Sequence, residues 1–255
     1  MHITPLGSLG WIPTGNNHTC CYCLEIDGRL VILDAGTGIA RFGGPVGRAI
    51  LKRYDTITLL LSHYHLDHIS GLIYLPAFFK GKTLHIAGPG GPLYPGGTEA
   101  ILNRVIQAPY FAKTLDAYPM DLHIHDLKEG SNTIQDLSIE AIAQQHSHPS
   151  IGVKIDGRAC YMTDTGPTDH TVDFCKGTDL MMHECFLDQH EDRGDNTHTA
   201  VTDAARMAKE AETGALMLVH QNPLYTEKRL LEMERFGQTI FPRTLLAKDC
   251  ISVTI

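Results

Sequence analysis

Between Leu61 and Gly71 the chain reads Ser62-His63-Tyr64-His65-Leu66-Asp67-His68-Ile69-Ser70, which puts three imidazoles and a carboxylate within six consecutive positions. With 15 histidines among 255 residues, a fixed H-x-H-x-D-H spacing arises in about one chain in three hundred of this composition, so composition alone does not supply it. Imidazole and carboxylate are the donors that suit zinc, manganese and iron, and hydrolytic sites keep one position open for water. Four donors on one loop exceed what a single open metal usually takes. The loop therefore predicts two divalent ions about 3.5 to 4 Å apart and a second donor set elsewhere in the chain.

The segments that must position such a set are legible as apolar runs. Strands are predicted over 20–26, 30–33, 57–61, 83–87, 137–143, 151–155, 158–162, 180–182 and 215–219, and helices over 98–107, 168–174, 199–211 and 227–236, the third opening on a Thr199 cap. The alternation gives an α/β class. No repeat or linker divides the chain, so a single domain over 1–255 is expected. Val31-Ile32-Leu33 runs into Asp34-Ala35-Gly36, and Tyr161-Met162-Thr163 runs into Asp164-Thr165-Gly166. Each is a strand ending in an acid and then a turn glycine, which places Asp34 and Asp164 where α/β folds collect their chemistry. His146 or His148 and His220 also follow strands, and with Asp164 they are the candidates for the second donor set. Asp34 reads better as a turn or supporting residue than as a ligand.

Composition excludes several classes. The net charge is −8 and no Lys/Arg run is present, which argues against a long nucleic acid as partner. No stretch is apolar enough to span a bilayer and the start lacks a signal-peptide pattern, so a cytoplasmic protein without a membrane partner is expected. The odd count of seven cysteines reads as reduced thiols, with Cys20, Cys21 and Cys23 as buried strand thiols in preference to a structural zinc site. Gly36-Thr37-Gly38 and Gly43-Gly44 lack the spacing of a phosphate loop. His2, His18, His85, His123, His125, His170 and His190 carry no ligand spacing.

His63-Tyr64-His65-Leu66-Asp67-His68, the earlier Asp34-Ala35-Gly36 turn and the later His146, Asp164 and His220 together resemble the metallo-β-lactamase superfamily over nearly the whole chain. The resemblance implies a four-layered αβ/βα sandwich. His146-Ser147-His148-Pro149, His183-Glu184-Cys185-Phe186 and Thr197-His198-Thr199 resemble motifs of its ribonuclease Z and cyclic phosphodiesterase branch, with Cys185 and Thr199 departing from the usual residues. That register makes His146, not His148, the ligand. It implies His63, His65 and His146 on one ion, Asp67, His68 and His220 on the other, and Asp164 shared. The ions implied are zinc first, with manganese or iron as alternatives, and dimers are common in this branch.

A hydroxide held between two such ions is a nucleophile at neutral pH, and a histidine oriented by a carboxylate supplies the proton for the departing oxygen. Asp67, His198 and Glu184 are the catalytic residues this implies, with His198 the general acid. Ribonuclease Z carries a long tRNA-gripping arm between the positions matching His146 and Asp164, whereas one short hairpin separates them here. A small phosphodiester, such as a cyclic nucleotide or cyclic sugar phosphate, is therefore the expected substrate. The alternatives are a lactone or thioester hydrolase on the same metals, a tRNA 3′-end endonuclease, and a non-catalytic metal-dependent binding protein. The imidazole of His65 argues against the diiron oxygen-reducing branch, which prefers a carboxylate there.

Overall fold

Strands buried on both faces should read as nearly unbroken apolar runs, and Leu30-Val31-Ile32-Leu33 and Ile57-Thr58-Leu59-Leu60 do so because they pair parallel in the interior of a sheet. The structure, a computed structural model, describes residues 1–191 and 197–255. It divides into two compact units, one of Met1–Gly7, Asn17–Lys128 and Asp249–Thr254, the other chiefly of Ser8–Asn16 and Glu129–Lys248. No helix among the described residues is long and apolar enough to cross a membrane.

The first unit holds β1 (His2–Gly7), β2 (Cys21–Ile26), β3 (Arg29–Leu33), β4 (Thr56–Leu60), β5 (Thr83–Pro89), β6 (Asp121–Leu127) and β14 (Val253–Thr254), the strands being numbered in chain order. They form a seven-stranded sheet ordered β14-β1-β2-β3-β4-β5-β6, antiparallel from β14 to β3 and parallel from β3 to β6. Asp27 and Gly28 turn β2 into β3 with φ of 46° and 79°, the paired positive values that match a two-residue hairpin to strand twist. Helices α1 (Pro45–Leu51), α2 (Leu66–Ile69), α3 (Leu75–Phe78) and α4 (Gly97–Val105) supply the crossovers. The core joins Ile32, Leu59 and Ile86 to Phe42 and Phe79, whose rings meet edge to face at 5.2 Å.

The second unit holds β7 (Gly130–Ile134), β8 (Leu137–Gln144), β9 (Ser150–Ile155), β10 (Ala159–Met162), β11 (Leu180–Glu184), β12 (Leu216–Val219) and β13 (Thr244–Leu246). Its sheet runs β13-β12-β11-β10-β9-β8-β7, antiparallel from β7 to β10 and parallel from β10 to β13. Helices α5 (Asp169–Cys175), α6 (Val201–Glu210) and α7 (Glu227–Ile240) belong to this unit, and α5 and α6 pack Val201, Ala204 and Phe174 into its core. Thr168 and Thr226 cap α5 and α7 through their hydroxyls, each accepting a backbone N–H at 3.3 Å.

Three expectations change. The N-cap of α6 is Ala200, without a side-chain bond, because Thr199 is committed elsewhere: its hydroxyl donates to the Thr165 carbonyl at 2.6 Å. Helix α7 runs on to Ile240 through Gly237, where a Cβ would come within 2.9 Å of Thr244, so the glycine serves close packing and not termination. Strands β1, β6, β7, β13 and β14 had no counterpart among the predicted runs. Asp121-Leu122-His123-Ile124-His125 alternates polar and apolar residues at the sheet edge, and β7 is mostly exposed.

Candidate active site

The H-x-H-x-D-H loop leaves β4 and enters the single turn of α2, with His65 as the extended N-cap residue and Asp67 in the first turn, where a carboxylate suits the exposed N–H groups. The Asp34-Ala35-Gly36 turn fixes this loop from behind. Ala35 N–H donates to the His68 carbonyl and Gly71 N–H to the Ala35 carbonyl, both at 2.7 Å. A Cβ at Gly36 would lie 2.1 Å from the Asp67 carbonyl oxygen, so the close approach requires glycine.

Asp34 is fully buried with φ of 59° and organises two imidazoles at once. Its Oδ2 accepts from His68 Nδ1 at 2.7 Å, and its oxygens accept from the Ser62 N–H at 2.8 Å and the Ser62 hydroxyl at 2.9 Å. Ser62 Oγ in turn lies 3.0 Å from His63 Nδ1. Nδ1 is thereby engaged in both rings, which assigns ligation to Nε2, the arrangement that carboxylate-backed metal histidines adopt. The His63 ring stands 4.5 Å from that of His65 and 4.3 Å from that of His68, and His68 Nε2 is 3.3 Å from Asp67 Oδ2. The four signature residues are thus linked pairwise into one cluster, and their donor types fit divalent ions.

In the second unit, Asp164 follows β10 and His220 follows β12, with φ of 48° and 49°. Non-glycine residues in this region are uncommon and cluster at functional sites. The two oxygens of Asp164 face two imidazoles, Oδ2 at 3.1 Å from His220 Nε2 and Oδ1 at 3.8 Å from His146 Nε2. His148, the competing residue, is exposed. Gly10 packs against the His220 ring so closely that a Cβ there would meet Cε1 at 2.2 Å.

Glu184 ends β11 fully buried. Its Oε1 accepts from His198 Nδ1 at 3.0 Å and from Thr165 N–H at 2.8 Å, and its Oε2 accepts from Thr199 N–H at 3.1 Å. The Phe186 ring stacks on His198 at 4.6 Å, and His198 stacks towards His220 at 5.8 Å. Asp164, Glu184, His198 and His220 offer donor atoms that all lie within 4.8 Å of one another. The roles of Ser62, Phe186 and Gly10 had no signal in the sequence. Nor did the stacking of His85, His123 and His125 on β5 and β6, since cross-strand register is not visible in a linear chain.

This fold and these donors define a metal-dependent hydrolase of the metallo-β-lactamase type. A family model described as the beta-lactamase superfamily domain matches residues 29–221, and the chain belongs to that family. The matched stretch draws on both units. Among its curated relatives are the ribonuclease Z of Pyrococcus horikoshii, 22% identical over 98% of this chain and 94% of the relative, and that of a Synechococcus strain, 25% identical over 100% and 98%. Among solved structures, the metallo-β-lactamase fold protein YhfI of Bacillus subtilis aligns over 99% of this chain and 98% of its own with a TM-score of 0.75 and 21% identity. Human tRNase Z, short form, aligns over 100% and 99% at 0.71 and 20%, and a diphosphatase of the PhnP family over 100% and 97% at 0.71 and 16%. At these identities the structural likeness establishes the metallo-β-lactamase fold.

Proposed function

We propose that the chain hydrolyses small phosphodiesters with two divalent ions, zinc first, held by His63, His65 and His146 on one side and Asp67, His68 and His220 on the other, with Asp164 shared. The ligand assignment follows from the motif resemblance, and it is supported by the two oxygens of Asp164 facing two imidazoles. When bound, such ions lower the pKa of water and neutralise charge developing on a phosphoryl oxygen.

The single observation that carries phosphodiesterase chemistry is the Glu184–His198 pair at 3.0 Å. The buried carboxylate fixes the tautomer of His198 with Nδ1 protonated and compensates an imidazolium charge, so Nε2 is the atom that delivers a proton to a departing alkoxide. Such positioned proton transfer contributes about 10²- to 10⁴-fold. A thioester hydrolase, whose leaving thiolate departs without a proton, has less use for that acid. Phe186, stacked on the ring, restricts it to one orientation.

A small substrate is favoured by the connections between the motifs. Gln144 to Ser150 and Ile155 to Ala159 are tight turns of one meander, without room for a gripping arm, and the chain carries a net charge of −8. The second reading, RNA 3′-end processing, is favoured by relatives named ribonuclease Z that align over nearly their whole length. Protein loaded separately with zinc and manganese, assayed on a bis-aryl phosphate, a panel of cyclic nucleotides and a precursor tRNA, separates the two. Turnover of the small diesters with none of the tRNA supports the first; cleavage of the tRNA alone supports the second.

A further inference from the structure

Trp11 is the only tryptophan in the chain, and it stands 59% exposed. Ile12 N–H donates to the Gly10 carbonyl at 2.8 Å and Trp11 between them has φ of 62°. A three-residue turn with positive φ at its centre is rare and strained, and glycine would occupy it at least cost. A large apolar side chain here is thus both exposed and strained.

Its anchoring ties it to a proposed metal ligand. Gly10 N–H donates to the Gln221 carbonyl at 2.9 Å, Leu9 bridges to Gln221, and the backbone of Gly10 lies against the His220 ring. Trp11 therefore projects from the residue next to that contact.

We propose that Trp11 is a stacking platform for a planar base, so that the substrates are phosphodiesters of nucleosides and not cyclic phosphates of bare sugars. The assignment rests on the phosphodiesterase function proposed above and narrows it. An indole face accepts any base without hydrogen-bond readout, and losing such a platform weakens binding about 5- to 150-fold.

The test uses metal-loaded, full-chain protein, in which intrinsic indole emission reports on residue 11 alone. Adenosine 5′-monophosphate should quench that emission saturably, and ribose 5-phosphate, with the same phosphate and sugar but no base, should not. In Trp11→Ala, the ratio of kcat/KM for 2′,3′-cyclic AMP to that for a base-free cyclic ribose phosphate should fall at least about five-fold, mainly through KM, and Trp11→Phe should restore most of it. Equal quenching by the two monophosphates, or an unchanged ratio in Trp11→Ala, would overturn the proposal. Absence of turnover on every diester would remove the phosphodiesterase function by itself, and the quenching comparison would still decide the stacking.

Discussion

Glu184 holds His198 through Nδ1 at 3.0 Å while the backbone N–H groups of Thr165 and Thr199 occupy the same carboxylate. The carboxylate is thus a fixed, buried acceptor whose position does not depend on the imidazole. Removing the imidazole should therefore damage catalysis more than architecture, whereas removing the carboxylate would also orphan two backbone donors.

Glu184→Gln keeps the shape but exchanges an acceptor for a donor at one atom. We expect kcat on phosphodiesters to fall about 10²-fold with metal content unchanged, and the double variant with His198→Ala to be little worse than His198→Ala by itself. Steady-state kinetics on the four proteins of this cycle measures the coupling. Additive losses would mean that Glu184 acts independently of His198.

Asp34 acts on His68 directly and on His63 through Ser62. Asp34→Ala removes the acceptor of His68 and the anchor of the Ser62 hydroxyl that orients His63, and metal affinity should drop about 10- to 100-fold. Competition against a chromophoric chelator measures this. Ser62→Ala should give a smaller loss, because the His68 bond remains.

Gly10→Ala places a methyl group 2.2 Å from His220 Cε1, a separation no packed Cβ tolerates. Either the ring or the 8–16 segment must move. The variant should fold with a modest fall in Tm but retain less of its second equivalent of metal by elemental analysis after dialysis.

Stability should depend on pH through imidazoles away from the metal donors. Burial, then the charges of His123 and His125, holds the His85 pKa below its ordinary value, and burial followed by His123 does the same to His125. In the unfolded chain both take up protons near pH 6.5, whereas in the folded state they do so only at lower pH. Their contribution is therefore complete above about pH 6.5 and is lost as the pH falls through the lowered values. Thermal unfolding from pH 8 to pH 5 should show Tm decreasing, with a shallower slope in His85→Gln.

The signature loop was legible because its donors are adjacent in sequence and improbable by composition, Asp164 and His220 because each follows an apolar strand, and Glu184 only through its motif resemblance. Strand β6 was not, since Leu122 and Ile124 pack on the core while Asp121, His123 and His125 interrupt the apolar signal. Thr199 looked like a cap because the residue type suits one, but tertiary hydrogen bonds to Glu184 and Thr165 outcompeted the local role. The turn at Trp11 was invisible for a different reason: nothing in its residue types suggests positive φ.

The proposed function depends on His198 delivering a proton to a phosphodiester leaving group. The most direct test is the rate of metal-loaded His198→Ala on a diester with a poor alkoxide leaving group compared with one whose leaving group is an activated phenolate. A loss of about 10²-fold or more on the alkoxide, shrinking markedly on the phenolate with metal content intact, is the predicted result. Equal losses on both substrates, or none on either, would contradict it.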